Sequence, residues 1–341
     1  MKDLVFQELI GDESFDASTL CSQVPFTQAP FYGDWQKTLG RRIKRFIVKD
    51  KDEVIMYFQM IKYPLLFGKN YFYIPYGPVS KTINQNILIE LKEKLIEEAK
   101  KENAVFVRLD FTPAVNDKEN IKLFSKVLKH SPKYTYKSSY FQLRSEWFLD
   151  LKKTEEEILK EMHEKTRYSV RLADRRGVKT EIVTSNFDEY FDTFCELMEV
   201  TSKRNGFHLH SRDYYESIFK NLKEDNTFLS ISRYEGKILS IYLVINYSGI
   251  ANYVFGCSGN DFKELAPTYL AHFEAIKHSK KIGAEFYNFG AISSEGKGMD
   301  SLTVFKKKFG GFEVKHSDFF DVIVEPFWYY LYNFRKFFKN K

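Results

Sequence analysis

Short blocks of aromatic and β-branched residues, followed by a block at helical spacing, predict a mixed α/β unit in the first half of the chain. Residues 44–49 and 54–63 flank the charged turn Asp50-Lys-Asp-Glu53, which is the pattern of a β-hairpin. A third strand over 71–75 runs into Tyr76-Gly77-Pro78, whose glycine and proline stop it. Ile87, Leu88, Leu91, Leu95 and Ile96 then fall on one face of a helix from Asn84 to Lys101, ahead of a strand from Val105 to Asp110.

The second half repeats this order. Strands over 228–234 and 237–247 enclose the turn Glu235-Gly236, a strand over 251–255 ends at Gly256, a helix runs from Pro267 to Ile282, and a strand from Glu285 to Gly290 follows. Gly77 to Gly256 is 179 positions, while Lys101 to Lys281 and Asp110 to Gly290 are each 180. A near-constant shift without evident identity reads as duplication of one α/β unit; the alternative is that this element order is common and the agreement is chance.

Between the halves, Thr154-Glu-Glu-Glu157 has the form of a capping box and opens a helix expected to run to Arg176, with Gly177 as its stop. Arg167, Arg171 and Arg175 share one face of that helix, with Lys160 and His163 a turn or two earlier. Such a stripe either meets an RNA or diphosphate backbone or is a solvated face. The segment 326–341 mixes rings with basic residues, which suits either peripheral contact with an anionic membrane leaflet or a final helix packed on a domain.

A chain of 341 residues exceeds the usual span of one core, so two domains of about 150 to 170 residues are expected. Hydrophobic residues at 43% against 29% charged leave no room for a long disordered tract. The net charge of +6 is too small for an obligate nucleic-acid coat, although a cluster would favour anionic ligands. The longest apolar run, 239–245, falls far short of the roughly 20 residues that span a bilayer. With no secretory pattern at the N-terminus, cytoplasmic residence is the expectation. Cys21, Cys195 and Cys257 are odd in number and far apart, which argues against a disulfide framework or a thiolate metal site.

Several chemistries fail on spacing. Gly290 to Gly296-Lys297 has one residue too many for a phosphate loop, and Gly298 stands where Ser or Thr is needed. His208-Leu-His210 has no accompanying metal-ligand motif, and no nucleophile elbow is present. What remains near strand ends is Asp110, Tyr253, Gly290 and Phe305-Lys-Lys-Lys-Phe-Gly-Gly311. In that last segment Phe305 and Phe309 are expected to pack while the lysines project toward an anion.

Thr166-Arg-Tyr-Ser-Val-Arg-Leu-Ala-Asp-Arg-Arg-Gly-Val178 resembles the Lys-Thr-Arg-Tyr-Asn-(Ile/Val)-Arg-x-Ala-x-x-x-Gly-Val signature of the FemABX aminoacyltransferases, which extend peptidoglycan stem peptides from aminoacyl-tRNA. Similarity extends through Tyr73-Ile-Pro-Tyr-Gly-Pro-Val79, Val105-Phe-Val-Arg-Leu-Asp110, Ala251-Asn-Tyr-Val-Phe-Gly-Cys-Ser258, Ala266-Pro-Thr-Tyr-Leu270, Tyr287-Asn-Phe-Gly-Ala-Ile292 and Phe305-Lys306 with Phe309-Gly-Gly311. The resemblance implies an α/β fold with mixed sheets, as two tandem domains similar to the Gcn5-related N-acetyltransferase (GNAT) fold. Residues 1–150, completed by 317–341, would bind the precursor, and 151–316 would hold the tRNA acceptor end and catalytic cleft. No sustained heptad run lies between Asp188 and Asp225, so the chain resembles the short form without a coiled-coil arm.

The implied reaction is attack of a precursor side-chain amine on the ester of an aminoacyl-tRNA, through a tetrahedral oxyanion, with no metal or redox cofactor required. By resemblance, Lys306 with Phe305 contacts the tRNA terminus or the developing charge, and Asp110 orients or deprotonates the amine. Arg212 resembles the family's diphosphate-binding arginine. Its N-terminal partner would be Lys37, one residue beyond the position given by matching Gln28 and Tyr32. Tyr253 and Tyr76 are candidates for lining the cleft, and Arg167 and Arg171 for meeting substrate phosphates. The implied partners are aminoacyl-tRNA and a UDP-linked or lipid-linked muramyl peptide, with the chain a monomer. An acyl-CoA donor is the rival reading, with Arg233-Tyr-Glu-Gly-Lys-Ile238 the nearest match to a pyrophosphate loop, although it ends in Ile and falls in an expected hairpin turn. A non-catalytic binding protein is the other alternative.

Overall fold

The computed structural model describes residues 4–111, 118–132, 144–221, 224–293 and 301–339. In chain order the first half carries β1 (Val5–Leu9), α1 (Pro30–Thr38), β2 (Ile43–Asp50), β3 (Glu53–Pro64), β4 (Asn70–Ile74), β5 (Val79–Ser80), α2 (Gln85–Lys101), β6 (Ala104–Leu109), α3 (Lys118–Val127) and β7 (Lys129–His130). It continues through β8 (Ser145–Asp150), α4 (Glu155–Glu161), α5 (Glu164–Arg175), β9 (Lys179–Val183), α6 (Phe191–Asn205), α7 (Arg212–Asn221), β10 (Thr227–Tyr234), β11 (Lys237–Tyr247) and β12 (Ile250–Ser258). The last elements are α8 (Pro267–Lys281), β13 (Phe286–Ala291), α9 (Ser301–Lys307), β14 (Phe312–Lys315), β15 (Phe320–Ile323) and α10 (Pro326–Lys339).

Each compact unit is built on one sheet. The first unit comprises Met1–Arg144 with Lys315–Lys341, and the second Ser145–Val314. The sequence reading divides the chain at 150/151 and 316/317 instead. The difference at the first boundary arises because β8 hydrogen-bonds antiparallel to β13, Asp150 opposite Phe286, and so completes the second sheet.

Strand order in the first sheet is β1-β2-β3-β4-β6-β15-β7, with β5 on β3; in the second it is β14-β8-β13-β12-β11-β10-β9. Taken from β9, the second order repeats the first position by position. The hairpin β2/β3 corresponds to β10/β11, and the parallel pair β4/β6 corresponds to β12/β13. Parallel neighbours need a crossover, and α2 and α8 supply it. Their apolar stripes, Leu88, Leu91, Leu95 and Ala99 in one and Leu270, Phe273, Ala275 and Ile276 in the other, are buried in separate cores.

The strand beside β6 is β15, from the far end of the chain, and the strand beside β13 is β8, which precedes the second repeat. An ion pair fixes β15: Arg108 Nε and Nη2 donate to Asp321 Oδ1 and Oδ2 at 2.7 and 2.8 Å, with both side chains fully buried. Tyr329 Oη, from α10, donates to Asp321 Oδ2 at 2.7 Å.

One sequence expectation fails locally. The helix anticipated from Thr154 to Arg176 is two helices, because Met162 and His163 take extended backbone angles between α4 and α5. The Thr154 capping box is present, and His163 caps the second helix by accepting from Lys165 N at 3.2 Å. Burial of Met162 in the second core pulls the backbone off the helical path.

Asp321→Ala strands the Arg108 charge in the interior and is expected to cost about 3–5 kcal/mol in denaturant unfolding. Replacing both partners, Arg108→Met with Asp321→Leu, should recover most of that loss.

Candidate active site

The two parallel pairs end differently. In the second unit, β12 and β13 pair over Ile250–Phe286, Ala251–Tyr287 and Asn252–Asn288, and their pairing then stops. Asn288 holds the end of the pairing: its Nδ2 donates to Asn252 Oδ1 at 3.1 Å and Glu146 Oε1 at 3.0 Å, and its Oδ1 accepts from Gly290 N at 2.8 Å. Gly290 has φ +74°, so β13 turns there in a left-handed conformation that favours glycine. A Cβ on Gly290 would lie 3.6 Å from the Tyr253 carbonyl oxygen and 3.8 Å from Lys306 Nζ. An ammonium group therefore sits where the two strands part.

Lys306 reaches this point from α9 and donates to the Ala291 carbonyl oxygen at 2.6 Å. It is only 5% exposed, which corrects the expectation of a projecting side chain. The reason is the ring cluster beneath it. Phe305 packs on Tyr269, His272 and Phe309 with ring centroids 5.0 to 5.4 Å apart, and this anchors the short helix with Lys306 turned inward.

His272, on α8, lies at the centre of the cluster, against Tyr242 at 4.3 Å, Tyr253 at 4.8 Å, Phe289 at 5.3 Å and Phe305 at 5.4 Å. Its Nδ1 is 3.3 Å from Tyr287 Oη. Burial, reinforced by the Lys306 charge, lowers its pKa to about 3, so the imidazole is neutral at ordinary pH. Burial likewise pushes the Tyr253 hydroxyl up. Lys306, Phe305 and Tyr253 thus come together. His272, Asn288 and Glu146 escaped the sequence reading; the signal for His272 was a lone histidine inside the apolar run Tyr269-Leu-Ala-His-Phe273.

The corresponding end of the first sheet is closed. β4 and β6 pair as far as Ile74–Leu109, and Gly77 then bridges Asp110. Asp110 is buried; it accepts from Tyr73 Oη at 3.0 Å and from Tyr76 N at 2.7 Å. Burial pushes its pKa well above the usual carboxylate range, opposed by those two donors. Tyr76 is buried too, stacked on His316 at 4.4 Å. A Cβ on Gly77 would come within 2.8 Å of the Gln28 amide, so this turn is packed to its limit.

Gln28 starts a polar network. Its Nε2 donates to the Pro75 carbonyl oxygen and its Oε1 accepts from Gln59 N. Gln59 in turn bonds the carbonyls of Thr27 and Ala29. Arg45, also buried, donates to the Pro30 carbonyl oxygen at 2.7 Å and to Asp34 Oδ1 at 2.8 Å. Lys37 stands at the solvent side of this network, half-exposed and 3.1 Å from Asp34. Gln36, its neighbour, is buried and accepts from Arg41.

The other basic candidates separate into distinct roles. Arg167 turns back and donates to the carbonyls of Lys160 and Met162, closing the C-terminal end of α4. Arg171 is exposed. Arg212 opens α7, 58% exposed, paired with Asp192 and 4.8 Å over the Phe191 ring. His210 stacks on Tyr214 at 4.2 Å, and among the described residues no group of three His, Cys, Asp or Glu side chains is placed to hold a metal. Arg233-Tyr-Glu-Gly-Lys-Ile238 is the β10/β11 hairpin, with Arg233 Nε bound to Glu181 at 2.9 Å, so it forms no phosphate loop.

The family model described as "FemAB family" matches residues 12–236 and 231–336. The chain belongs to the FemAB family. A relative named lipid II:glycine glycyltransferase, from Staphylococcus epidermidis, is 24% identical over 328 residues, covering 76% of this chain and 78% of its own. The crystal structure of FemX superposes with a TM-score of 0.84 at 22% identity, over 95% of this chain and 99% of that one. A tandem GNAT protein from the clavulanic acid biosynthesis pathway has a TM-score of 0.57 at 11% identity, over 94% and 99%. The FemAB fold here is a pair of GNAT-like units, and among the described residues between Asp188 and Asp225 the α-helices are the 15-residue α6 and the 10-residue α7, neither of them a long arm.

The depressed His272 pKa has a sign. The unfolded chain, at the ordinary value of 6.5, binds a proton that the folded protein refuses down to about pH 3, so acidification through that window favours unfolding. His272→Phe should remove this contribution, about 2 kcal/mol by pH 5, seen as a shallower loss of denaturant stability between pH 7 and 5 than in wild type.

Proposed function

We propose that this protein moves an amino acid from aminoacyl-tRNA to the stem-peptide amine of a lipid-linked muramyl peptide, building an interpeptide bridge. The chain is an aminoacyltransferase; the observation that carries its site is Lys306, a buried ammonium fixed where β12 and β13 part. Membership of the FemAB family and the lipid II:glycine glycyltransferases among its relatives support the acceptor.

The amine nitrogen attacks the ester carbonyl, a C–N bond forms, and the carbonyl oxygen gathers negative charge. Collapse breaks the C–O bond to the ribose, and the proton shed by the amine ends on the departing ribose hydroxyl. A cation held in a water-poor site is suited to that oxyanion or to the adjacent phosphate, because low polarity strengthens the attraction and the lysine is already oriented. Phe305 acts through Lys306, by holding α9 against the ring cluster. Arg212, exposed and next to the Phe191 ring, takes a phosphate oxygen of a substrate, and Lys37, half-exposed beside Asp34, is a separate candidate contact to substrate phosphate. Asp110 orders the Tyr76-Gly77 turn, through which it positions the acceptor.

The test is transfer of radiolabelled amino acids from a charged total-tRNA pool to lipid-linked and UDP-linked muramyl pentapeptides, with acetyl-CoA as a parallel donor. Label on the lipid-linked peptide that ribonuclease abolishes is expected; label from acetyl-CoA alone would overturn the donor. Lys306→Met, which keeps the buried stem, should lower kcat about 10²- to 10³-fold with the melting temperature unchanged. Arg212→Ala should raise the precursor KM and leave kcat near wild type, as expected for loss of ground-state binding.

A further inference from the structure

The last helix leaves one of its two apolar faces uncovered. Trp328, Tyr329 and Tyr332 turn inward onto Tyr71, Val105, Phe106 and Phe319, which satisfies the burial that an amphipathic helix requires. Phe327, Tyr330, Leu331, Phe334 and Phe337 recur at steps of three and four and form the opposite face, with Phe327 73% and Phe334 63% exposed. A soluble surface rarely carries so many large apolar side chains in one contiguous patch.

A second segment extends the patch. Leu66 and Phe67 lie in the turn between β3 and β4, and Phe67 is 77% exposed with its ring 5.7 Å from Trp328. Phe67 has φ +56°, a conformation costly for a bulky residue, so the turn holds an apolar ring outward at some strain.

Positive charge borders the same surface. Arg335 of α10 is exposed and the helix carries no acidic residue, while Lys336 stands over the inward Tyr332 ring at 5.9 Å. Lys129 donates to Tyr330 Oη at 3.0 Å, and Lys69 stands 5.7 Å from the Trp328 ring. Glu325, just ahead of the helix, is paired with Lys69 at 2.7 Å. A row of rings with a basic border and no acid of its own complements an anionic lipid surface better than it complements a protein patch.

We propose that this face docks on an anionic phospholipid bilayer, with α10 lying in the plane of the interface and Phe67 as a second anchor. The helix has 14 residues, too few to cross, and no helix among the described residues is long and apolar enough to span a membrane. Rings at the level of the headgroups and cations toward the phosphates is the arrangement that such helices adopt. The inference stands apart from the transfer reaction, since it uses neither Lys306 nor the acceptor.

The test is sedimentation of the full chain with vesicles of phosphatidylcholine alone or of equimolar phosphatidylcholine and phosphatidylglycerol. Wild type should pellet with the anionic vesicles and be released by salt. Phe327→Ser/Phe334→Ser/Phe337→Ser alters only exposed rings and should weaken vesicle binding at least about tenfold, with the melting temperature and transfer to a detergent-solubilised lipid-linked acceptor unchanged. Brominated lipid should quench tryptophan fluorescence in wild type, and Trp328→Phe should lose that quenching, which checks the contact without the triple variant. Failure of wild type to bind anionic vesicles, or equal binding by the triple variant, overturns the proposal. So does a dimer in solution that the triple variant dissociates, which would assign the face to a second copy.

Discussion

Parallel strands cannot be joined by a tight turn, and that constraint organises both units. Each parallel pair, β4/β6 and β12/β13, requires a crossover helix, which covers one face of its sheet and brings both strand ends out at the same edge. Chemistry can then collect where two strand ends lie side by side with backbone groups directed between them. The second unit uses this edge: its pair stops at Asn252 and Asn288, and Lys306 occupies the parting. The first unit closes the same edge with the Gly77–Asp110 bridge. One duplicated architecture has thus been finished in two ways, open around a cation and sealed by a carboxylate.

Much of this was legible in the sequence because the deciding interactions are local. Alternation in the β2/β3 and β10/β11 hairpins, the helical spacing of Leu88, Leu91 and Leu95, and the glycines at 77 and 256 all act within a few residues of themselves. The shift of 179 to 180 positions between the halves reappears as two sheets with matching strand order. What escaped was set by partners far along the chain. Nothing near Ser145–Asp150 signals that it pairs with β13, and nothing near Met162 signals that a buried methionine will break a helix.

The candidate site divides along the same line. Lys306 and Phe305 were found through a motif, but the motif gives no depth, and the projecting lysine of the sequence reading is a buried one. Its surroundings come from α8, β12 and β13, so His272 and Asn288 emerge only once those elements are assembled. Arg167 belonged to an apparent basic stripe until the break between α4 and α5 supplied carbonyls for it to cap.

The exchange of closing strands bears on the order in which the molecule is made. The second unit is continuous from Ser145 to Val314 and can complete its sheet as soon as that stretch leaves the ribosome. The first unit, although synthesised earlier, keeps β6 as an open edge until β15 arrives. An exposed edge is a template for pairing with other chains. The N-terminal unit is therefore the last to close, and for the whole time the second unit is being translated its protection against misassembly depends on whatever shields that one strand.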